Sequence, residues 1–241
     1  MAVMKRGRWL ASAAVACWML LAGATQASEY IRGLGATGDP RVIARVVADL
    51  ERLWPLEIGR YCANYRDLLN GIRTSDSHKS NLQTVEATVN PLLEKKEAVI
   101  SEDSDAFVAA QGDAIRLLLV TAGLPDVPIA DRLRIADRCL DCLEAWRKEI
   151  LPEYDGLRVV HFNVLIGGAD AAAQQARAQL KEEERISYRN SLILRRQSAL
   201  RFQIRLNVTE LGDLLLETGK QSPELLEVTN AMKERAELLW K

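Results

Sequence analysis

Between Ala169 and Lys220 the chain has no proline, and its only glycines, Gly212 and Gly219, lie close to the end. Unbroken helix over those ~52 residues measures about 78 Å at ~1.5 Å per residue. A helix of that length holds in water only by burying a stripe along one side. Such a stripe is present: Ile186, Ile193, Leu200, Asn207 and Leu214 recur every seventh residue, flanked by Ile204, Leu211 and Leu215. This is an imperfect heptad seam, and Asn207 is the kind of polar seam residue that fixes register.

The same stretch carries Arg185, Arg189, Arg195, Arg196, Arg201 and Arg205, with no acidic residue between 185 and 205. Conversely, Glu97, Glu102, Asp103, Asp105 and Asp113 occur with no Lys or Arg between 97 and 113. Two readings follow. The arginines are a solvated face, or pair with the acidic segment and orient helices. Alternatively they form a docking surface for an acidic protein or an anionic lipid headgroup.

Composition agrees with helix throughout. The 241 residues include only 14 Gly, 7 Pro and 5% aromatic residues, and 48% are hydrophobic, which argues against a disordered chain. A formal net charge of −1 gives no signal for nucleic acid. Asp39-Pro40 opens a helix, with Asp as cap and Pro at the first position. Its stripe runs through Val42, Val46, Leu50, Leu53, Trp54, Ile58, Tyr61, Tyr65, Leu68 and Leu69, and Pro55 predicts a kink or break at Trp54. Residues 74–80 read as a loop.

A second helix is predicted over Leu82–Ile100, starting in earnest near Pro91. A third spans Ser104–Ala122, capped by Ser104 and stopped by Gly123-Leu124-Pro125, where Gly123 suits the left-handed position. A fourth opens near Pro128 and ends at Leu151, with Ile129, Leu133, Ala136, Leu140, Leu143 and Trp146 on one face. Residues 157–166 are β-branched between glycines and read as a short extended segment or a short buried helix. A final helix follows Ser222-Pro223, capped by Ser222, and runs to Trp240.

The first residues carry a targeting pattern. Lys5, Arg6 and Arg8 precede an uncharged run from Trp9 to Ala24, and small residues allow a cut after Ala24 or Ala27. That run is too short for a spanning helix, which needs about 20 apolar residues, so a cleaved signal peptide over 1–27 is predicted. The remaining 28–241 then form one helical domain. It is more acidic by three charges and keeps Cys62, Cys139 and Cys142. In an oxidising compartment one disulfide and one free thiol are plausible. At ~100° per residue from Ile129, Cys139 falls near −80° and Cys142 near −140°. Cys62 likewise flanks its stripe. The two flanking positions predict a Cys62–Cys139 disulfide with Cys142 free.

Catalytic motifs are scarce. Cys139-Leu140-Asp141-Cys142 has redox shape, but it sits inside a helix beside Asp137 and Asp141, which disfavours a thiolate. The aromatic residues Trp54, Tyr61 and Tyr65 suit a core better than a ligand shelf, because Ile58 and Leu68 share their face. His78 lies in a polar loop and His161 among β-branched residues. Zinc needs ligands the chain does not pattern. The sequence therefore predicts an all-α, exported multi-helix bundle of five to seven helices with one long helix in its C-terminal half. It is read as a non-enzymatic periplasmic scaffold, adaptor or assembly factor. It needs no cofactor, and its partner is another envelope protein or a second copy of itself, with a membrane surface as a further candidate. The runner-up is a bundle that binds a small ligand or non-covalent cofactor between helices; a thiol redox enzyme using Cys139 and Cys142 comes third.

Overall fold

A computed structural model describes residues 24–75, 81–155 and 171–239, with side chains left undescribed at 24–25, 151–155 and 171–180. The expectations for 1–23, for His78, and for His161 and the 157–166 segment lie outside the described residues. Eight α-helices are present among those described: α1 (Ala24–Ala36), α2 (Pro40–Leu50), α3 (Ile58–Thr74), α4 (Leu82–Leu93), α5 (Ser104–Ala122), α6 (Ile129–Asp155), α7 (Ala171–Gln221) and α8 (Leu226–Leu238). No strand occurs among the described residues. The sequence predicted fewer helices, because the helix before Asp39 carries no start signal and the Pro40–Leu69 stripe divides in two.

Local chemistry explains most boundaries. The Asp39 carboxylate accepts a 2.8 Å hydrogen bond from the Arg41 backbone N–H, with Pro40 leading α2. Gly38 sits at φ 76°, a conformation that favours glycine, and there the chain turns from α1 into α2. Residues 51–57 form turns around a cis Trp54–Pro55 peptide, so the predicted break is real.

Several local expectations fail here. Ser104 is the first residue of α5 rather than its cap, Asp103 holding the cap position, and α6 runs on to Asp155 rather than ending at Leu151. The helix near Pro91 starts nine residues before the proline and takes it into its last turn rather than beginning at it. Asn81 caps it by accepting from the Thr84 N–H at 3.0 Å, and Val85, Val89 and Leu92 are buried. Beyond it the chain is tied elsewhere: Gln111 Nε2 donates to the carbonyls of Leu92 and Lys95. Gly123 is not left-handed but lies at φ −73°. Ser222 makes no side-chain cap; a 3-10 turn over Pro223–Leu225 leads into α8 instead.

The helices share one core. α3 is buried on several sides, with Tyr61, Cys62, Tyr65, Leu68, Leu69 and Ile72 all inside, between α1 and α5. Its contact with α1 is backbone to backbone. A Cβ on Gly71 would lie 2.1 Å from the Arg32 carbonyl oxygen, and one on Gly35 would lie 2.6 Å from the Leu68 oxygen. α7 packs against α5, α6 and α8, burying Ile193, Leu200, Ile204, Val208, Leu211, Leu214 and Leu215.

Leu200 is fully buried, so Leu200→Asp is expected to destabilise by more than the ~2–5 kcal/mol of a Leu→Ala truncation, because it also buries a carboxylate. Loss of the cooperative melting transition by circular dichroism checks this. Gly71→Ala is expected to cost about 1–3 kcal/mol by forcing α1 away from α3. Its melting temperature should fall by several degrees, and limited proteolysis should then cut first near α1.

Candidate functional site

α7 is built in two parts. From Ile193 onward its inward side is covered, and buried polar side chains punctuate the apolar seam. Gln197 Nε2 donates to the Ile150 carbonyl at 3.2 Å, Asn207 Nδ2 to the Gln203 carbonyl at 2.9 Å, and Thr218 Oγ1 to the Leu214 carbonyl at 2.7 Å. Gly112 of α5 makes room for Gln203: a Cβ there would come within 2.1 Å of its side-chain oxygen. From Lys181 to Arg189, by contrast, only Glu183 and Ile186 are even half-buried. The described bundle first bonds to α7 at Tyr188, whose hydroxyl donates to the Glu102 carboxylate.

The six arginines do not form one surface. Arg195 pairs with Asp105 at 2.6 Å, and Arg196 binds Glu97 at 3.1 Å and Glu149 at 2.8 Å. Two members of the basic run thus meet the acidic segment 97–113 within the fold. The Arg196 and Glu97 side chains are only 11% and 3% exposed, so this pair fixes the path of the chain between α4 and α5. Arg185 is bonded to Glu182 one turn away and is 78% exposed. Arg189 is exposed, as are Arg201 and Arg205 on other sides of the helix.

The aromatic residues are core. Trp54 lies 5.3 Å from the Tyr61 ring and 5.1 Å from Phe107, with Lys95 Nζ 5.9 Å above it. Glu51 accepts from the Tyr61 hydroxyl at 2.8 Å and pairs with Lys95. The Tyr65 hydroxyl donates to the Thr88 carbonyl at 2.6 Å. Burial first, then neighbouring charge, pushes both tyrosine hydroxyls above their usual range.

The cysteines correct the sequence reading. All three described cysteines are free thiols, and the expected Cys62–Cys139 bond is not formed. The reason is the phase of α6. Its buried face is broad and runs through Arg132, Ile135, Ala136, Cys139, Leu140, Leu143, Trp146 and Ile150, with Ile129 and Leu133 only half-buried at its edge. Cys139 therefore points into the core rather than along its flank. Its charged neighbours are Arg138 and Glu86, whereas Cys62 has Glu97, Asp103 and Arg66. Burial pushes the Cys62 thiol up to about 12, and it also raises Cys139 and Cys142. None of the three is poised as a nucleophile, which weighs against the redox reading.

One groove stands out. It has a volume of about 560 Å³ between α2 and α4, walled by Pro40, Ile43, Ala44, Val47 and Ala48 on one side and by Thr84, Ala87 and Thr88 on the other. Asn81 and Gln83 also line it, and no charged residue does. No motif marks it, because its walls of Ala, Thr, Val and Ile read as ordinary helix. Among the described residues no group of three or more His, Cys, Asp or Glu is placed to hold a metal ion. No helix among them is long and apolar enough to cross a membrane.

The buried thiols and tyrosines give the fold an alkaline limit. Each is held neutral in the folded state above its unfolded pKa, so the unfolded chain loses protons first as pH rises. Stability is expected to be flat below pH 9 and to fall progressively from there toward pH 12, as the urea midpoint in reductant checks. At pH 8 a thiol reagent should modify Cys142 before Cys62 or Cys139. Comparison of the chain with family models, with curated proteins and with solved structures finds no match.

Proposed function

We propose that this is a non-enzymatic exported protein that acts through helix surfaces, as a scaffold, adaptor or assembly factor of the cell envelope. The exposed Lys181–Asn190 stretch of α7 is its docking segment. The observation that carries this reading is the division of α7. The helix continues past the last described ties to α5 and α6, and it keeps Ile186 in the heptad phase of Ile193 and Leu200 while most of the residues around it, Arg185 and Ser187 among them, are exposed. A stretch of helix held in line by the bundle and largely exposed suits helix-to-helix recognition.

Export is supported by the basic start and short apolar run of residues 5–24. A cut after Ala24 or Ala27 leaves Ile31 and Gly35, which seat α1 on α3, so the fold tolerates processing at either place. A second reading rests on the uncharged α2–α4 groove, which suits a small apolar ligand.

A photo-reactive side chain at Arg185 should give a discrete crosslinked species in cells, identified by mass spectrometry. N-terminal sequencing of the same protein should begin at Thr25 or Ser28. Crosslinks arising from Ala44 in the groove and none from Arg185, with a ligand-dependent rise in melting temperature, would favour the second reading. An N-terminus at Met1 in the cellular protein would remove the argument for export.

A further inference from the structure

We infer that the groove between α2 and α4 binds a soluble single-chain amphiphile, its aliphatic chain in the trough and its anionic head at Arg41 and Arg45. This deepens the second reading above, of the groove as a ligand site, and rests on it. The trough exists because two helices run side by side with only small residues along their lips. They are parallel: Lys95, just past the end of α4, pairs with Glu51, just past the end of α2, while Pro40 and Asn81, at the two starts, line the groove together. The floor is apolar, with Ile43 and Val47 buried, and the lips are Ala44 and Ala48 on α2 and Ala87 on α4, all exposed. The Thr88 hydroxyl donates to the Thr84 carbonyl, and the Thr88 carbonyl accepts from Tyr65, so these polar atoms already have partners.

Size selects the chain. From Pro40 to Ala48 the trough is ~12 Å long, so a volume of about 560 Å³ gives a mean cross-section of roughly 45–50 Å². An α-helix with its side chains, about 10–12 Å across, needs about twice that. An extended chain of roughly ten carbons matches the length, at ~1.27 Å per bond. Charge selects the head. No charged residue lines the trough, so an ion buried in it would lack a counter-charge. On the outer shoulder of α2 stand Arg41 and Arg45, exposed and with no ion pair or side-chain hydrogen bond among the described residues. At ~100° per residue they fall ~20° and ~60° from Ala48 around the helix, and their long stems reach a head group at that lip. The acids nearby are committed elsewhere: Asp39 caps α2, Asp49 pairs with Arg52, and Glu86 of α4 pairs with Arg134 and Arg138. A chain with an anionic head is thus matched at both of its ends, and a cationic one at only one. A trough that holds a single chain selects a soluble amphiphile over a bilayer lipid.

Calorimetric titration of the full-length chain at pH 8 with decanoate, 1-decanol and decyltrimethylammonium, each below its micelle concentration, tests this. Decanoate should bind one to one and at least about tenfold more tightly than decyltrimethylammonium, with decanol between them. Shortening the chain by two methylenes to octanoate should weaken binding about tenfold, and lengthening it to dodecanoate should gain little. Ala44→Trp and Ala87→Trp fill the trough from opposite lips, and each should abolish binding of all three compounds. Arg41→Glu with Arg45→Glu should leave decanol binding unchanged, weaken decanoate at least about tenfold and strengthen decyltrimethylammonium. All four positions are exposed, so the variants should melt as the native chain does. Decanoate that fails to saturate, or that binds both tryptophan variants as it binds the native chain, would overturn the inference together with the groove reading. Vesicles of phosphatidylglycerol that retain the chain while decanoate does not bind would make the contact one with a membrane and overturn it too. If the three decyl compounds bind alike and both tryptophan variants block them, the groove reading survives and the anionic head does not.

Discussion

α5, α6 and α8 all pack on α7, and their arrangement depends on one constraint: a helix of this length must bury a continuous stripe to persist in water. The stripe from Ile193 to Leu215 meets it, closed at its centre by Leu200 and Leu211, both fully buried. α5 runs parallel to α7, as Asp105–Arg195 and Arg116–Glu210 show, whereas α6 runs antiparallel, since Ile150 lies beside Gln197 and Arg132 beside Gln221. α1 to α4 reach this core mainly through α5. The N-terminal helices are in that sense a second tier built on α3, with the α1–α3 glycine contact as their tightest joint.

Charge in this molecule orients more than it stabilises. Most of the ion pairs are partly solvated, a setting in which each contributes ~0–1 kcal/mol. Three arginines act differently because of where they sit. Arg132 is 2% exposed and spends its donors on the carbonyls of Leu124, Pro125 and Val127 and on Gln221. It thereby ties the α5–α6 turn to the end of α7. Arg235 of α8 reaches Glu144, Asp137 and Asp141, each at 3.0 Å, three carboxylates on one side of α6. Arg196 holds Glu97, and removing it would leave a carboxylate buried without its counter-charge, which costs far more than the pair itself contributes.

The long helix was legible because nothing local competed with its pattern: no proline, no mid-helix glycine and a seam of seven-residue period. The Ser104–Ala122 helix and the break at Pro55 were legible for the same reason. Where the reading failed, tertiary contacts outweighed local signals. Pro91 lies near the end of a helix that Asn81 had already started. The α1 helix carries no start signal in the sequence, and it is seated by Ile31 and by Gly35 against Gly71, a contact visible only in three dimensions. On α6 the apolar spacing fitted two phases. Setting it by Ile129 made Cys139 a flank, whereas Ile135, Trp146 and Ile150 turn the helix so that Cys139 faces inward. The same error of phase produced the expected disulfide. For the basic run, sequence alone held both candidate roles open, because pairing partners ninety residues away leave no local trace. Arg195 and Arg196 proved to be taken up within the fold.

The polar residues of the α7 seam then have a physical reason to be there. Apolar seams slide at low cost, since one Leu replaces another after seven residues. Gln197, Gln203 and Asn207 remove that freedom at some expense in stability, because Gln197 Oε1 and Asn207 Oδ1 remain without hydrogen-bond partners. A slip of one heptad would bring Arg196 or Glu210 to the space that Gly112 opens for Gln203, burying a charge where the native register buries an amide. It would also break Arg195–Asp105 and Arg116–Glu210 together. The register so fixed decides which part of α7 extends past the bundle. It leaves Lys181–Ser187 beyond the ties that begin at Tyr188, and holds Ile186 at a set height above the covered seam. A shift of seven residues in one direction would draw Ile186 in beside α5, and in the other would bring Ile193 out to its place.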